Sequence, residues 1–166
     1  MRLRFVLAAL CASLSLAACE GATHTVDARF STPEHTALTL LGSYGLEHAT
    51  QAEIREHMAQ HDRFEMRDRH AYEACFSDLR DGDAASEGVA GFVFGAIAAG
   101  RDELRVQITG DRATLSPRDG VEIVMHRGDD GAFRIALADS VPSEVRTQIA
   151  AIAHHADERL RRGLPE

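Results

Sequence analysis

From Leu104 onward the apolar residues of this chain stop recurring at helical spacing and begin to alternate, and this change of period constrains the fold more than any other feature. Leu104, Val106 and Ile108 alternate with Arg105, Gln107 and Thr109, Gly110-Asp111 turns the chain, and Ala113 to Leu115 returns. Val121, Ile123 and Met125 alternate next, the polar stretch Arg127 to Gly131 supplies a turn, and Phe133, Ile135 and Leu137 alternate last. Alternation gives each strand one apolar face, so four antiparallel strands in a meander are predicted, each with a face to bury. The helical segments that precede them are the available cover, which makes an α+β layer pair.

Those helical segments carry their own punctuation. Thr32-Pro33-Glu34 reads as an N-cap, a proline at the first helical position and an acidic first turn, ahead of apolar Ala37, Leu38, Leu40, Leu41 and Tyr44. That helix should end near the glycines at 42 and 45. Thr50 and Glu53 form a capping box, in which each side chain satisfies a backbone donor the helix start leaves free. Ile54 and Met58 begin a buried stripe that Tyr72, Cys75, Phe76 and Leu79 extend to the turn at Asp81-Gly82-Asp83, either as one helix or as two. Ser86 to Gly100 is apolar and rich in Gly and Ala, a close-packed helix or a buried strand. After Pro142 a final helix repeats Val145, Ile149, Ile152, Ala156 and Leu160 on one stripe, and Gly163 and Pro165 stop it.

The chain opens with MRLRFVLAALCASLSLAAC. Arg2 and Arg4 give a basic start, and Phe5 to Leu16 an apolar run too short for the roughly 20 residues of a membrane-spanning helix. Leu16-Ala17-Ala18-Cys19 resembles the lipobox of bacterial lipoproteins. That resemblance implies cleavage between Ala18 and Cys19 and lipid on Cys19, hence anchoring in the cell envelope. Stable anchoring takes more than one acyl chain, which a lipidated cysteine of this class carries. Glu20 stands where the inner-membrane retention signal of enteric bacteria has Asp, so the periplasmic side of the outer membrane is favoured. The expected organisation is a signal peptide over 1–18, a tether over 19–31 and a single α+β domain over 32–166.

Of the 166 residues, loss of the first 18 leaves a length suited to one domain with a real core, and takes the formal charge from -8 to -10. An acidic chain lacks the basic footprint of nucleic-acid binding, so nucleic acid is excluded as a partner. Cys11 leaves with the signal and Cys19 takes lipid, so Cys75 has no intramolecular disulfide partner. It is a buried small hydrophobe or a reactive or intermolecular thiol; its spacing with Tyr72, Phe76 and Leu79 favours the core.

Helices followed by a meander, with Thr32-Pro33-Glu34 opening the first helix, Gly110-Asp111-Arg112-Ala113 in the first hairpin and Asp130-Gly131-Ala132-Phe133-Arg134-Ile135 in the last, is similar to small bacterial lipoproteins with an NTF2-like domain, including the DUF4878-like group. The likeness covers roughly residues 30 to 140. Phe133 stands where such proteins often have Trp, and the helix after Pro142 is additional. The resemblance implies a curved sheet wrapped around helices as a cone, often with an apolar pocket. The fold hosts isomerases, dehydratases and proteins without catalysis, so it does not settle function.

On an unbroken helix from residue 51, positions 54, 57, 58, 61, 65, 68 and 72 share a face. His57, His61, Glu65 and Asp68 would then be grouped, and two His at i and i+4 with a carboxylate one turn on suit zinc or iron. His57-Met58-Ala59-Gln60-His61 lacks the Glu of a metalloprotease motif. In a cone the same groups could serve a pocket as acid and base, with Tyr44 and Tyr72 the only phenols. A partly solvated helix face explains the pattern without any ligand, and no cofactor is required. Arg127-Gly128-Asp129 sits where a hairpin needs a polar turn. The sequence therefore ranks a non-catalytic envelope lipoprotein that binds a small ligand or an envelope protein above an NTF2-like enzyme or metal-binding protein using His57, His61 and Glu65.

Overall fold

The computed structural model describes residues 25–59 and 64–162, apart from the side chains of Asp157 and Leu160. Ala18, Cys19 and His61, and with them the signal, the lipobox and one proposed metal ligand, lie outside the described residues. So do Gly163 and Pro165. The described chain is α+β, with helices α1 (Pro33–Gly42), α2 (Gln51–Ala59), α3 (Arg69–Ala74), α4 (Ala84–Ala99), α5 (Leu137–Ser140) and α6 (Ser143–Arg161). One antiparallel sheet follows the order β1 (Arg105–Thr109), β2 (Arg112–Arg118), β3 (Val121–Arg127), β4 (Phe133–Ile135). No described helix is long and apolar enough to cross a membrane.

Local chemistry accounts for the helix starts. Thr32 is extended, and its hydroxyl accepts from the His35 N–H ahead of Pro33. Glu53 accepts from the Thr50 N–H at 2.7 Å while the Thr50 hydroxyl accepts from the Glu53 N–H at 3.2 Å, a complete capping box. Asp68 caps α3 through the Ala71 N–H, and Asp83 caps α4 through those of Ala85 and Ser86. The Gly- and Ala-rich segment is thus helical. Along α4, Val89, Ala90, Val93, Phe94, Ile97 and Ala98 are buried, and the helix packs against α1, α2, α5, α6 and β2.

Register explains the sheet's inner face. Ile108 lies opposite Ala113, Ala113 opposite Met125 and Met125 opposite Ile135, so one row crosses all four strands. Three of these residues are fully buried, whereas Ile108 is 50% exposed. The expectation that every strand buries its apolar face is corrected at β1, where Val106 is only half-buried. At the opposite edge, Phe76 bridges Ile135 in parallel, with the Ser77 N–H donating to the Ile135 carbonyl and the Ile135 N–H to that of Cys75. One buried cluster joins Phe30, Leu40, Leu41, Tyr72, Cys75, Val93, Ile97, Leu115, Met125 and Ile135.

Packing sets several further boundaries. Within the stretch expected to be tether, the described end packs on the domain: Phe30 is 3% exposed, Val26 packs on the core, and the Thr39 hydroxyl donates to the Arg29 carbonyl at 3.1 Å. Of the two alternatives left open for the segment from 51 to 79, the unbroken helix is excluded, because 64–68 is non-helical; the N–H groups of Arg67 and Asp68 donate instead to the Ser43 carbonyl at 2.7 and 3.0 Å. Leu137 is not in the last strand, which ends at Ile135; the Asp78 carboxylate caps a helical turn at the N–H groups of Leu137 and Ala138. Among the described side chains of the α6 stripe, those at its start are the ones that pack inward. Val145 and Ile149 pack on the core, but Ile152 is 69% exposed and Ala156 is exposed, because the buried side follows 145, 149 and 153 while the apolar residues step to 152.

Two ion pairs on the β3–β4 side give the fold an acid limit. Arg134 holds the Asp130 carboxylate at 2.6 and 3.0 Å and the Ala132 N–H assists, lowering its pKa to about 2 from 3.8. The His126 ring at 2.8 Å lowers that of Asp139. A depressed carboxylate pKa contributes stability that is present above the unfolded value and lost as pH falls through the folded one. Urea midpoints should therefore drop between pH 4 and pH 2. Both pairs are partly exposed, so each is worth about 1 kcal/mol or less. Asp130→Asn should flatten part of that drop, and an unchanged profile would remove the pair from the account.

Candidate functional site

The sequence candidates meet, in part, beside α2. A turn after α1 places Gly45 at φ +72°, a backbone state that costs glycine nothing, with the N–H groups of Gly45 and Leu46 donating to the carbonyls of Gly42 and Leu41. A Cβ on Gly45 would lie 2.4 Å from Nη1 of Arg67, so the missing side chain is where that guanidinium rests. The Ser43 carbonyl straps segment 64–68 to this turn. Between the turn, that segment and α2 lies a pocket of about 500 Å³. Leu46, Ala49, Ile54 and Phe64 supply apolar lining; Tyr44, His57, Glu53, Glu65 and Arg67 supply polar groups.

Aromatic packing connects the pocket to the core. His57 stacks on Phe64 at 4.4 Å, Phe64 meets Phe94 edge-on, and Phe94 stacks on Tyr44 at 4.1 Å. Tyr44 meets Tyr72 edge-on at 5.8 Å, and Tyr72 meets Phe76 at 5.1 Å. Burial, with a smaller contribution from Glu87, pushes the Tyr44 phenol above its ordinary pKa; burial also comes first among the causes that raise Tyr72. Both phenols stay protonated at neutral pH. His57 Nε2 is buried and has no hydrogen-bond partner among the described residues. Arg67 has no ion-pair partner among them. A buried polar atom left unpaired costs about 1–3 kcal/mol, which makes it a place where a ligand group could be accommodated.

His57 and Glu65 thus line one pocket, although the helix expected to align them is broken. Tyr72 does not line it: the ring is 1% exposed, inside the core, with the Arg69 guanidinium 5.6 Å from its centroid. Asp68 is committed to the α3 cap, and Glu53 to the α2 cap, where the Thr50 N–H lowers its pKa first and the Thr50 hydroxyl second. Arg69 bridges Glu73, Asp81 and Glu87, a structural hub joining α3 to α4. Burial pushes the Cys75 thiol up to about 12, and its Sγ lies 3.2 Å from the Ala71 carbonyl, so it packs as a core hydrophobe rather than acting as a nucleophile. Among the described residues no group of three His, Cys, Asp or Glu stands close enough to hold a metal.

Sequence reasoning missed Arg67, Phe64 and Leu46 as pocket residues. The signal available was Gly45, whose need for positive φ marks the turn that brings them together. No family model, no curated protein and no solved structure matches the chain.

Proposed function

We propose that the chain is a bacterial envelope lipoprotein, held at the periplasmic side of the outer membrane through lipid on Cys19, whose domain binds a small ligand or an envelope protein and works without catalysis. The observation that carries the binding role is the pocket beside His57: an apolar lining and, among the described residues, a buried imidazole nitrogen without a partner and a guanidinium without a counter-ion. Concave, mostly apolar sites with a few placed polar groups are the usual form of small-ligand sites. Against catalysis stands the employment of two of the candidate groups elsewhere, Asp68 in a cap and Tyr72 in the core, with the pocket's Glu53 also held in a cap. The NTF2-like reading of the fold rests on helices followed by a four-stranded meander.

The anchor is tested by Cys19→Ala, which should abolish acyl labelling and move the protein from membranes to the soluble fraction; unchanged membrane retention would defeat it. For the pocket, small neutral aromatic fragments should shift the methyl resonances of Leu46 and Ile54, and Ala49→Phe should remove those shifts. Fragments that leave both methyls untouched would end the ligand reading at this site. A second reading, a zinc or iron site on His57, His61 and Glu65, has in its favour that His57 and Glu65 line the same pocket. Stoichiometric metal, lost in a His57→Ala, His61→Ala double variant, would replace the first reading with it.

A further inference from the structure

A second cleft, of about 670 Å³, opens between the turn before α4, the start of α5 and the first turns of α6. It shares no lining residue with the His57 pocket. Two guanidinium groups line it, Arg80 and Arg146, together with the carboxylates of Asp78 and Asp83, so at first sight its charges cancel.

Hydrogen bonding commits the carboxylates to backbone donors, so neither grips a guanidinium at close range. Both oxygens of Asp78 are used by the N–H groups of Leu137 and Ala138, at 2.8 and 2.9 Å. Oδ1 of Asp83 is used by those of Ala85 and Ser86, and its Oδ2 stands 4.0 Å from Arg80, at the outer limit of an ion pair. Arg146 makes no ion pair with any described residue, and its Nε is buried with no partner. Asp139, whose pKa Arg146 helps to lower, is bound to His126 at 2.8 Å. Among the described residues the cleft therefore holds one guanidinium with no ion pair and one unmet donor, beside the apolar surface of Leu79, Val89, Leu137 and Ala150 and the hydroxyl of Thr147. A buried donor that no described protein group meets is left to ordered water or to a ligand, and a guanidinium held beside apolar surface favours a planar, delocalised anion that it can grip with two parallel hydrogen bonds.

We infer that this cleft is a binding site for a small organic anion, a carboxylate or phosphate monoester with a short apolar body, whose charged end pairs with Arg146 and whose body lies against Val89, Leu137 and Ala150. Arg80, 81% exposed, acts at the rim and contributes less. Occupancy would tie α4 to α6, which already meet closely enough that a Cβ on Gly88 would lie 2.6 Å from Ile149.

The chain from Glu20 onward contains every described residue, so it is the protein to titrate. Hexanoate and phenyl phosphate, followed by calorimetry, should both bind, and hexanol and hexylamine should not. Preference for one of the two anions would assign the site to carboxylates or to phosphates. Arg146→Gln should weaken binding at least tenfold, Arg80→Gln only two- to threefold, and Ala150→Phe should block it, while His57→Phe leaves it unchanged. Should Arg146→Gln fail to fold, salt carries the test: the anions should bind more weakly to wild type as ionic strength rises. Equal binding of hexanol and hexanoate, salt-independent binding, or no binding of either anion at millimolar concentration would overturn the inference. Loss of binding in His57→Phe with retention in Arg146→Gln would return the ligand to the first pocket and leave this one empty.

Discussion

Tyr72→Ala is expected to lose about 3–5 kcal/mol of unfolding free energy, the range for deleting a large buried aromatic. Tyr72 heads the fully buried side chains, at 1% exposure. It touches Tyr44 on one side and Phe76 on the other, and Arg69 lies over its ring. Through Tyr44 and Phe94 the same packing supports the His57 pocket, and Phe76 bridges β4, so a void at Tyr72 loosens both the pocket and the edge of the sheet. Set against the roughly 5–15 kcal/mol that holds a typical domain together, the loss leaves a marginal protein. Tyr72→Phe keeps the ring and removes only the hydroxyl, so it should cost about 1 kcal/mol or less. Urea denaturation followed by circular dichroism separates the two: a Phe variant as damaged as the Ala variant would mean that the hydroxyl, not the ring, carries the stability.

What was legible in the sequence was legible because the cause was local. Thr32 and the Thr50/Glu53 box act within one turn of their helices, and the alternation from Leu104 to Ile135 is a property of each strand by itself. The failures share the opposite character. Whether 51–79 is one helix or two stays open in the sequence because the N–H groups of Arg67 and Asp68 find the Ser43 carbonyl more than twenty residues earlier, a partner no periodicity reveals. Alternation told which residues of β1 share a face, but whether anything covers that face is decided by where the helices end in space, and among the described residues Ile108 stays 50% exposed. Phe30, a single aromatic in a polar run, has no pattern to announce that it enters the core. The candidate site divides in the same way. His57 and Glu65 do share a pocket, through a chain path other than the continuous helix that suggested it, whereas Tyr72 and Asp68 were drawn away by core packing and by a cap. Cys75 followed its spacing, since burial among neighbours one turn away is again a local matter.

Gly100→Ala should cost about 3 kcal/mol although it adds a single methyl group. The backbone at Gly100 has φ -109°, open to any residue, so the obstacle is not conformational. A Cβ there would stand 2.1 Å from the Pro117 carbonyl oxygen and 2.7 Å from its carbon, a contact with backbone that no side-chain rotation relieves. Gly100 also closes α4, its N–H donating to the Ala96 carbonyl at 3.2 Å, and Pro117 lies where the β2–β3 register shifts between Leu115 and Arg118. Either the end of α4 or the irregular part of β2 must move, and overpacking of that kind costs roughly 1–3 kcal/mol or more. Gly91, inside the same helix, is the control. Nothing lies within 4 Å of a Cβ there, so Gly91→Ala should stabilise the helix by about 0.5–1 kcal/mol. Thermal melts of the two variants should therefore move in opposite directions. Two increases would falsify the close approach of α4 to β2; two decreases would mean that the open side of α4 at Gly91 is occupied in solution by something a methyl group displaces.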